Sequence, residues 1–100
     1  MDNFCHPLQK DEILNEKHKD FPLYEIYIYG GKLECLKISK RIMCSIKHLA
    51  LRVKVHYVYD TKEAINAGVR ADPSVILNGK IIIEGLVSAE EIEKIFLQYS

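Results

Sequence analysis

The sequence predicts an α/β domain with the element order β-α-β-α-β-β-α, in which helices cover the faces of a mixed sheet of four strands. Three observations support this prediction: an apolar, β-branched run at Leu23–Tyr29, an amphipathic helical pattern over residues 35–51, and an Asn-Gly pair between two short apolar runs. The chain has 100 residues, of which 48% are hydrophobic, so it fits one domain with one modest core.

Residues 1–22 are predicted to be an N-terminal extension, and residues 23–100 the domain itself. Within the extension, residues 9–19 are predicted to form a short helix that ends before Pro22. Residues 1–10 lack the pattern of a secretory signal, and no apolar run reaches the ~18 residues that a membrane span requires. No membrane association is therefore expected.

Leu23–Tyr29 (LYEIYIY) is predicted to be a buried strand that ends at Gly30-Gly31. The helix predicted over residues 35–51 has one apolar and one basic face. The apolar face contains Cys35, Ile38, Ile42, Met43, Ile46 and Leu49. The basic face contains Lys37, Lys40, Arg41 and Lys47, together with Cys44 and His48, and is expected to face solvent.

Residues 53–59 alternate like a second strand, which the preceding crossover helix should place parallel to the first. A short helix follows over residues 60–67. Ser74–Leu77 and residues 80–83 flank Asn78-Gly79, which is typical of an antiparallel hairpin with a type I′ turn. Ser88 and Glu91 have capping-box spacing at the start of a last helix. The predicted core comprises Ile26, Ile28, Ile42, Ile46, Val55, Val75, Leu77, Ile82 and Ile95.

The three cysteines, Cys5, Cys35 and Cys44, are odd in number and irregularly spaced. They therefore predict no disulfide framework and a reducing, cytoplasmic setting. Cys44 and His48 are four residues apart but provide too few ligands for a metal site, so neither a metal nor another cofactor is predicted. Net charge is zero, yet no acidic residue occurs over residues 35–59. Because no nucleic-acid-binding motif accompanies this basic stretch, nucleic acid is not an expected partner.

Asp72-Pro73-Ser74 directly precedes the predicted hairpin. With this tripeptide in place, the element order resembles the thioredoxin and glutaredoxin superfamily and is most similar to small thioredoxin-like redox proteins of archaea and bacteria. Ile26 to Gly30 (IYIYG) matches their first strand and loop, and residues 69–96 match their second half element by element. The resemblance implies a thioredoxin-like fold in which Pro73 is cis and the backbone of Asp72 pairs with an extended peptide or thiol substrate.

The C-x-x-C motif of that family is missing, because the loop reads GGKLECL over residues 30–36. A dithiol enzyme needs one thiol to attack and a second to resolve the mixed disulfide. Three registers stay open. The apolar stripe places Cys35 at the family's second, resolving position and Lys32 at the nucleophile. Ungapped counting from Gly30 places Cys35 between the two positions, and a third register makes Cys35 the nucleophile of a monothiol site.

Three functions fit these residues. We favour a non-redox binding or scaffolding module that holds an unidentified protein or peptide in the groove beside Pro73, with Lys32, Asp72 and Ser74 as further groove residues. One alternative is a monothiol thiol-disulfide oxidoreductase that acts through Cys35. The other is a binder of an anionic partner through the basic face. Dithiol oxidoreductase activity is not expected, and the oligomeric state stays open.

Overall fold

The computed structural model describes residues 5–100. In chain order the elements are β1 (Ile13–Leu14), β2 (Leu23–Tyr29), α1 (Lys32–Ile46), β3 (Arg52–Val58), α2 (Thr61–Asn66), β4 (Ser74–Leu77), β5 (Lys80–Glu84) and α3 (Ala89–Leu97). The strands form one mixed sheet in the order β1-β3-β2-β4-β5. β2 is parallel to β3 and antiparallel to β4, and β5 closes the hairpin with β4. The predicted thioredoxin-like α/β fold is confirmed.

The sheet has five strands rather than the four predicted, because part of the extension joins it. Residues 9–19 contain no helix, so that prediction is wrong. Ile13 and Leu14 instead pair with Lys54 and Val53 of β3. The physical reason is that the segment has too few apolar residues for a helical stripe, whereas an extended path buries both Leu8 and Leu14 in the domain core.

The core lies between the sheet and the two helices α1 and α3. Paired residues of neighbouring strands, such as Ile26 with Val55 and Ile28 with Val75, are fully buried on the same sheet face. Seven of the nine predicted core residues are buried, and Ile82 and Ile95 pack against them while partly exposed.

The helix boundaries differ from the predicted ones at both ends of α1. α1 begins at Lys32, directly after Gly31, and ends at Ile46, where the chain turns through a hydrogen bond from Leu49 N–H to the Ile46 carbonyl. Asp60 and Ser88 cap α2 and α3 with their side chains. Within residues 5–100, none of the helices combines the length and the hydropathy that crossing a membrane requires.

Asn78 and Gly79 have φ angles of 54° and 76°, the positive values that the predicted type I′ turn requires at both positions.

Candidate functional site

The groove beside Pro73 lies where β2 ends and α1 begins. Gly30 has a φ of 145°, and its N–H donates to the Val58 carbonyl of β3. Gly31 precedes the helix without a side-chain cap, and the exposed Lys32 is the first helical residue. Cys35 follows one turn later on the inner side of α1. Lys32 and Cys35 thus lie three residues apart in the first turn of α1, Lys32 exposed and Cys35 buried.

Cys35 is fully buried, with an exposed fraction of 0%. Its Sγ lies 3.8 Å from the Ile28 carbonyl oxygen, and its backbone N–H donates to Gly31 in the first helical turn. Burial is the main cause that raises the pKa of the Cys35 thiol to about 11, and the negative charges of Asp72 and Glu34 add to it. The thiol therefore carries its proton at neutral pH.

Asp72 stands on the other side of the groove, and its peptide bond to Pro73 is cis. Asp72 is exposed, whereas Pro73 and Ser74 are buried. The Asp72 Oδ1 atom accepts a hydrogen bond of 3.0 Å from Gly31 N–H. The Ser74 hydroxyl donates to the Ala71 carbonyl, so it supports the loop from inside. Of the predicted groove residues, Lys32 and Asp72 thus present side chains to solvent.

A cleft of about 360 Å³ adjoins this groove. It lies between the Gly30-Gly31 loop, α2 and the segment that leads to Asp72. Its wall is largely apolar, because Tyr59 and Ile65 face it with exposed fractions of 46% and 67%, beside Val69. Arg70 and Asp60 provide charges in the same lining. The predicted groove therefore continues into a pocket suited to an apolar side chain with polar groups around it.

The residues of the basic face of α1 differ in their surroundings. Arg41 donates from Nη1 to the Leu86 and Val87 carbonyls at 3.1 and 2.8 Å, so it supports the loop before α3. Lys37, Lys40 and Lys47 are exposed. Lys47 Nζ lies 3.9 Å from the Sγ atom of Cys5, a residue of the N-terminal segment.

Cys5 and Cys44 form a disulfide, so the prediction that the cysteines form no disulfide framework is wrong. Their Cα atoms are 5.6 Å apart, within the usual range for a bridge. Cys44 was expected to face solvent, but it is half-buried under the N-terminal segment. The cause is the docking of Leu8, whose N–H donates to the buried Ser39 hydroxyl of α1 at 2.9 Å and whose carbonyl accepts from the Tyr57 hydroxyl.

Sequence reasoning missed three features: the disulfide, the hydrogen bond between Asp72 and Gly31 beside the groove, and the contribution of Tyr59 and Ile65 to the cleft. The disulfide depends on a non-helical path for residues 5–12, for which the sequence has no clear signal. Ile65 had a weak signal, because it is a large apolar residue on a helix too short to bury it.

A family model described as the thioredoxin domain matches residues 25–97. No curated protein matches the chain. The family match covers most of the sequence and includes β2, α1, the Asp72-Pro73 segment and the β4-β5 hairpin described above. The chain therefore belongs to the thioredoxin-domain family.

Proposed function

We propose that this protein is a binding module that holds an extended peptide segment of a partner protein in the groove beside Pro73, without thiol chemistry at that site. The observation that carries the proposal is the state of Cys35. It is the only cysteine at the groove, it is buried, and its thiol is protonated at neutral pH. The exposed residue at the start of α1, one helical turn before it, is Lys32. A nucleophile must be an accessible thiolate, and this thiol is neither.

The backbone of Asp72 supports the binding role. Among residues 5–100, no protein group is hydrogen-bonded to the Asp72 N–H or C=O, although the neighbouring Pro73 carbonyl accepts from Gly85 N–H at 2.7 Å. A free donor and acceptor on one exposed residue can pair with an extended peptide as a sheet edge does. The Asp72 carboxylate is held by Gly31, which keeps this residue in one orientation.

The cleft beside α2 supports a preference for peptides with a large apolar residue. Tyr59 and Ile65 are more exposed than large apolar side chains usually are, and they line one wall together. An apolar peptide side chain in the cleft would cover them while the peptide backbone pairs with Asp72. Burial of apolar area would supply affinity, and the backbone pairing would fix the register.

The test is selection of a random-peptide phage library on the immobilised full-length protein. A recovered peptide is then synthesised and titrated against the ¹⁵N-labelled protein by NMR and calorimetry. We expect its binding to shift the amide signals of Gly31, Lys32 and Asp72. We also expect Cys35→Ala to leave the Kd within about twofold, because the proposal assigns no role to the thiol.

Two matched variants decide whether the cleft takes part. Ile65→Lys places a charge in the cleft, and Leu97→Lys makes the same change at an aliphatic residue of α3 with a similarly high exposed fraction of 51%. We expect Ile65→Lys to weaken binding by about tenfold or more, and Leu97→Lys to leave it unchanged. Equal effects of the two variants, shifts confined to other surfaces, or a library that yields no binding peptide would each count against the proposal.

We also propose a cytoplasmic location, but the disulfide removes one of the two arguments for it. The prediction rested on unpaired cysteines and on the absence of a signal pattern in residues 1–10, and the first ground has gone because Cys5 and Cys44 are bonded. Disulfides that do form in a reducing compartment are commonly transient and take part in redox reactions. For a cytoplasmic location we therefore expect the Cys5–Cys44 bond to be exchangeable.

A further inference from the structure

The Cys5–Cys44 disulfide lies away from the groove, beyond the middle of α1. Lys32 begins that helix and Cys44 follows twelve residues later, which corresponds to a rise of ~18 Å. We propose that this disulfide is a thiol-disulfide exchange site for anionic low-molecular-weight thiols, with Cys44 Sγ as the sulfur attacked and the Cys5 thiolate as the leaving group. The proposal goes beyond the groove and does not depend on it.

Cys44 lies among basic residues near the C-terminal end of α1. Lys40 and Arg41 precede it by one helical turn, and Lys47, the C-cap residue of the helix, and His48 follow it. Lys47 Nζ lies 3.9 Å from Cys5 Sγ, where its positive charge favours a thiolate on that sulfur. Reactive cysteines occur in electropositive, partly exposed surroundings of this kind, whereas Cys35 is buried beside carboxylates.

Several polar side chains around the bridge have partners of their own. His48 Nε2 lies 2.9 Å from Glu93 of α3, and His6 Nε2 lies 3.3 Å from Glu12. Arg41 is committed to two backbone carbonyls. Lys47 is therefore the cation that contacts the bridge itself, and it defines the variant that tests the proposal.

The greater exposure of Cys44, and the packing of the segment that contains Cys5, indicate that Cys44 Sγ is the sulfur attacked. Cys5 is 8% exposed, whereas Cys44 is half-buried and more accessible. Leu8, three residues after Cys5, is buried and hydrogen-bonded to Ser39, so Cys5 is expected to stay near Cys44 after the bond breaks. A leaving thiolate that stays in place can close the disulfide again, which makes the exchange reversible.

The reaction balances with two equivalents of the external thiol. A thiolate RS⁻ attacks Cys44 Sγ, the bond between the protein sulfurs breaks, and its electron pair leaves on Cys5 Sγ. A second RS⁻ attacks the external sulfur of the mixed disulfide, which gives RSSR and the Cys44 thiolate. The two thiolates take up the two protons that the external thiols released. The protein disulfide gains two electrons, and two RSH are oxidised to one RSSR.

The test measures reduction of the oxidised full-length protein by 3-mercaptopropionate and by 2-mercaptoethanol, which differ in charge. The matched variants are Lys47→Met and Lys80→Met, the second at an exposed lysine that begins β5. We expect Lys47→Met to slow reduction by 3-mercaptopropionate by about three- to tenfold, and reduction by 2-mercaptoethanol by less. Lys80→Met should leave both rates unchanged. For each reagent, the rate with the variant is divided by the rate with the unsubstituted protein, so the intrinsic reactivity of the reagent cancels.

The site of attack is read by stopping the reaction part-way with N-ethylmaleimide and mapping the peptides by mass spectrometry. The expected species carries the 3-mercaptopropionate residue on Cys44 as a mixed disulfide (Sγ–S–CH2CH2–COO⁻) and the maleimide on Cys5. Three results would overturn the proposal: equal rates for the protein with and without Lys47, a mixed disulfide located on Cys5, or loss of rate that is the same for both reagents.

Discussion

The Asp72 carboxylate is hydrogen-bonded to the backbone N–H of Gly31 at 3.0 Å, so the residue before Pro73 is tied directly to the start of α1. This bond brings together two segments 41 residues apart in the chain. It also places a negative charge above the buried Cys35 thiol, where it contributes to the raised pKa of that group. The groove is thus arranged in a way that keeps its cysteine protonated.

A side chain at Gly30 is expected to be costly, because it would displace this same carboxylate. A Cβ at Gly30 would overlap Asp72 Oδ1 and lie 3.2 Å from Pro73 Cα, whereas a Cβ at Gly68 would meet nothing within 4 Å. Both glycines have positive φ, 145° at Gly30 and 84° at Gly68, so Gly68→Ala measures the cost of a positive φ without a steric contact, about 1–2 kcal/mol. In urea denaturation, Gly30→Ala should cost at least about 1 kcal/mol more than Gly68→Ala. Equal losses would mean that the Asp72 side chain does not occupy this position.

Ile46→Ala should lower the free energy of unfolding by roughly 2–4 kcal/mol, because Ile46 is fully buried at the end of α1. Ile65→Ala is the control for the same chemical change, since Ile65 is 67% exposed on α2. It should change stability by no more than about 0.5 kcal/mol. A loss below about 1 kcal/mol for Ile46→Ala would mean that Ile46 does not lie on the buried face of α1.

Leu8→Ala tests whether the N-terminal segment belongs to the folded domain. Leu8 has an exposed fraction of 1% and packs in the main core, so its truncation should cost about 2–4 kcal/mol in equilibrium unfolding. The neighbouring Gln9 is exposed, and Gln9→Ala should have little effect. If both substitutions are neutral, the segment is an appendage that lies outside the core.

Stability should fall at alkaline pH because of Cys35. In the unfolded chain a cysteine thiol ionises near its ordinary pKa of ~8.5. In the folded protein, burial keeps the proton on Cys35 up to a pKa of about 11. Between these values the folded state holds more protons than the unfolded state, so the free energy of unfolding decreases as pH rises.

This pH effect is measured by urea denaturation at pH 7.5 and pH 10. Cys5→Ser/Cys44→Ser is the parent, which avoids disulfide exchange in the unfolded chain. Adding Cys35→Ala should make the loss of stability between the two pH values smaller. Burial also raises the pKa values of Tyr57 and Tyr59, and Cys35 adds to the raised pKa of each. Replacing Cys35 therefore also reduces the part of the alkaline loss that comes from these tyrosines, which changes the comparison in the same direction. Identical losses in the two proteins would show that Cys35 titrates normally.

The sequence was sufficient to predict the fold because each element had a local signal that agreed with its neighbours. In residues 23–29 every second side chain in the C-terminal half points into the core, and β4 pairs with this strand. The Asn78-Gly79 pair favours the β4-β5 hairpin through its local backbone conformation alone. The boundaries of α1 were less predictable. Its start depends on Gly31 and its end on a turn at Leu49, and neither carries a strong stop signal.

The N-terminal segment was not predictable for a different reason. Its placement depends on tertiary contacts, such as the bonds of Asn15 Nδ2 to the Leu49 and Leu51 carbonyls, and on two buried leucines, Leu8 and Leu14. No periodic pattern in residues 5–22 indicates these contacts. The pairing of Cys5 with Cys44 follows from that placement, so spacing along the chain could not reveal it.

The central claim is that the groove beside Pro73 contains no reactive thiol, and alkylation of Cys35 tests it most directly. In the oxidised protein Cys35 is the one free cysteine. Its rate with iodoacetamide at pH 8 is compared between the native protein and the protein unfolded in guanidinium chloride. With its pKa raised to about 11, native Cys35 should react at least about 100-fold more slowly than the unfolded chain. A native rate within about tenfold of the unfolded rate would contradict the account and would make Cys35 the candidate nucleophile of a monothiol enzyme.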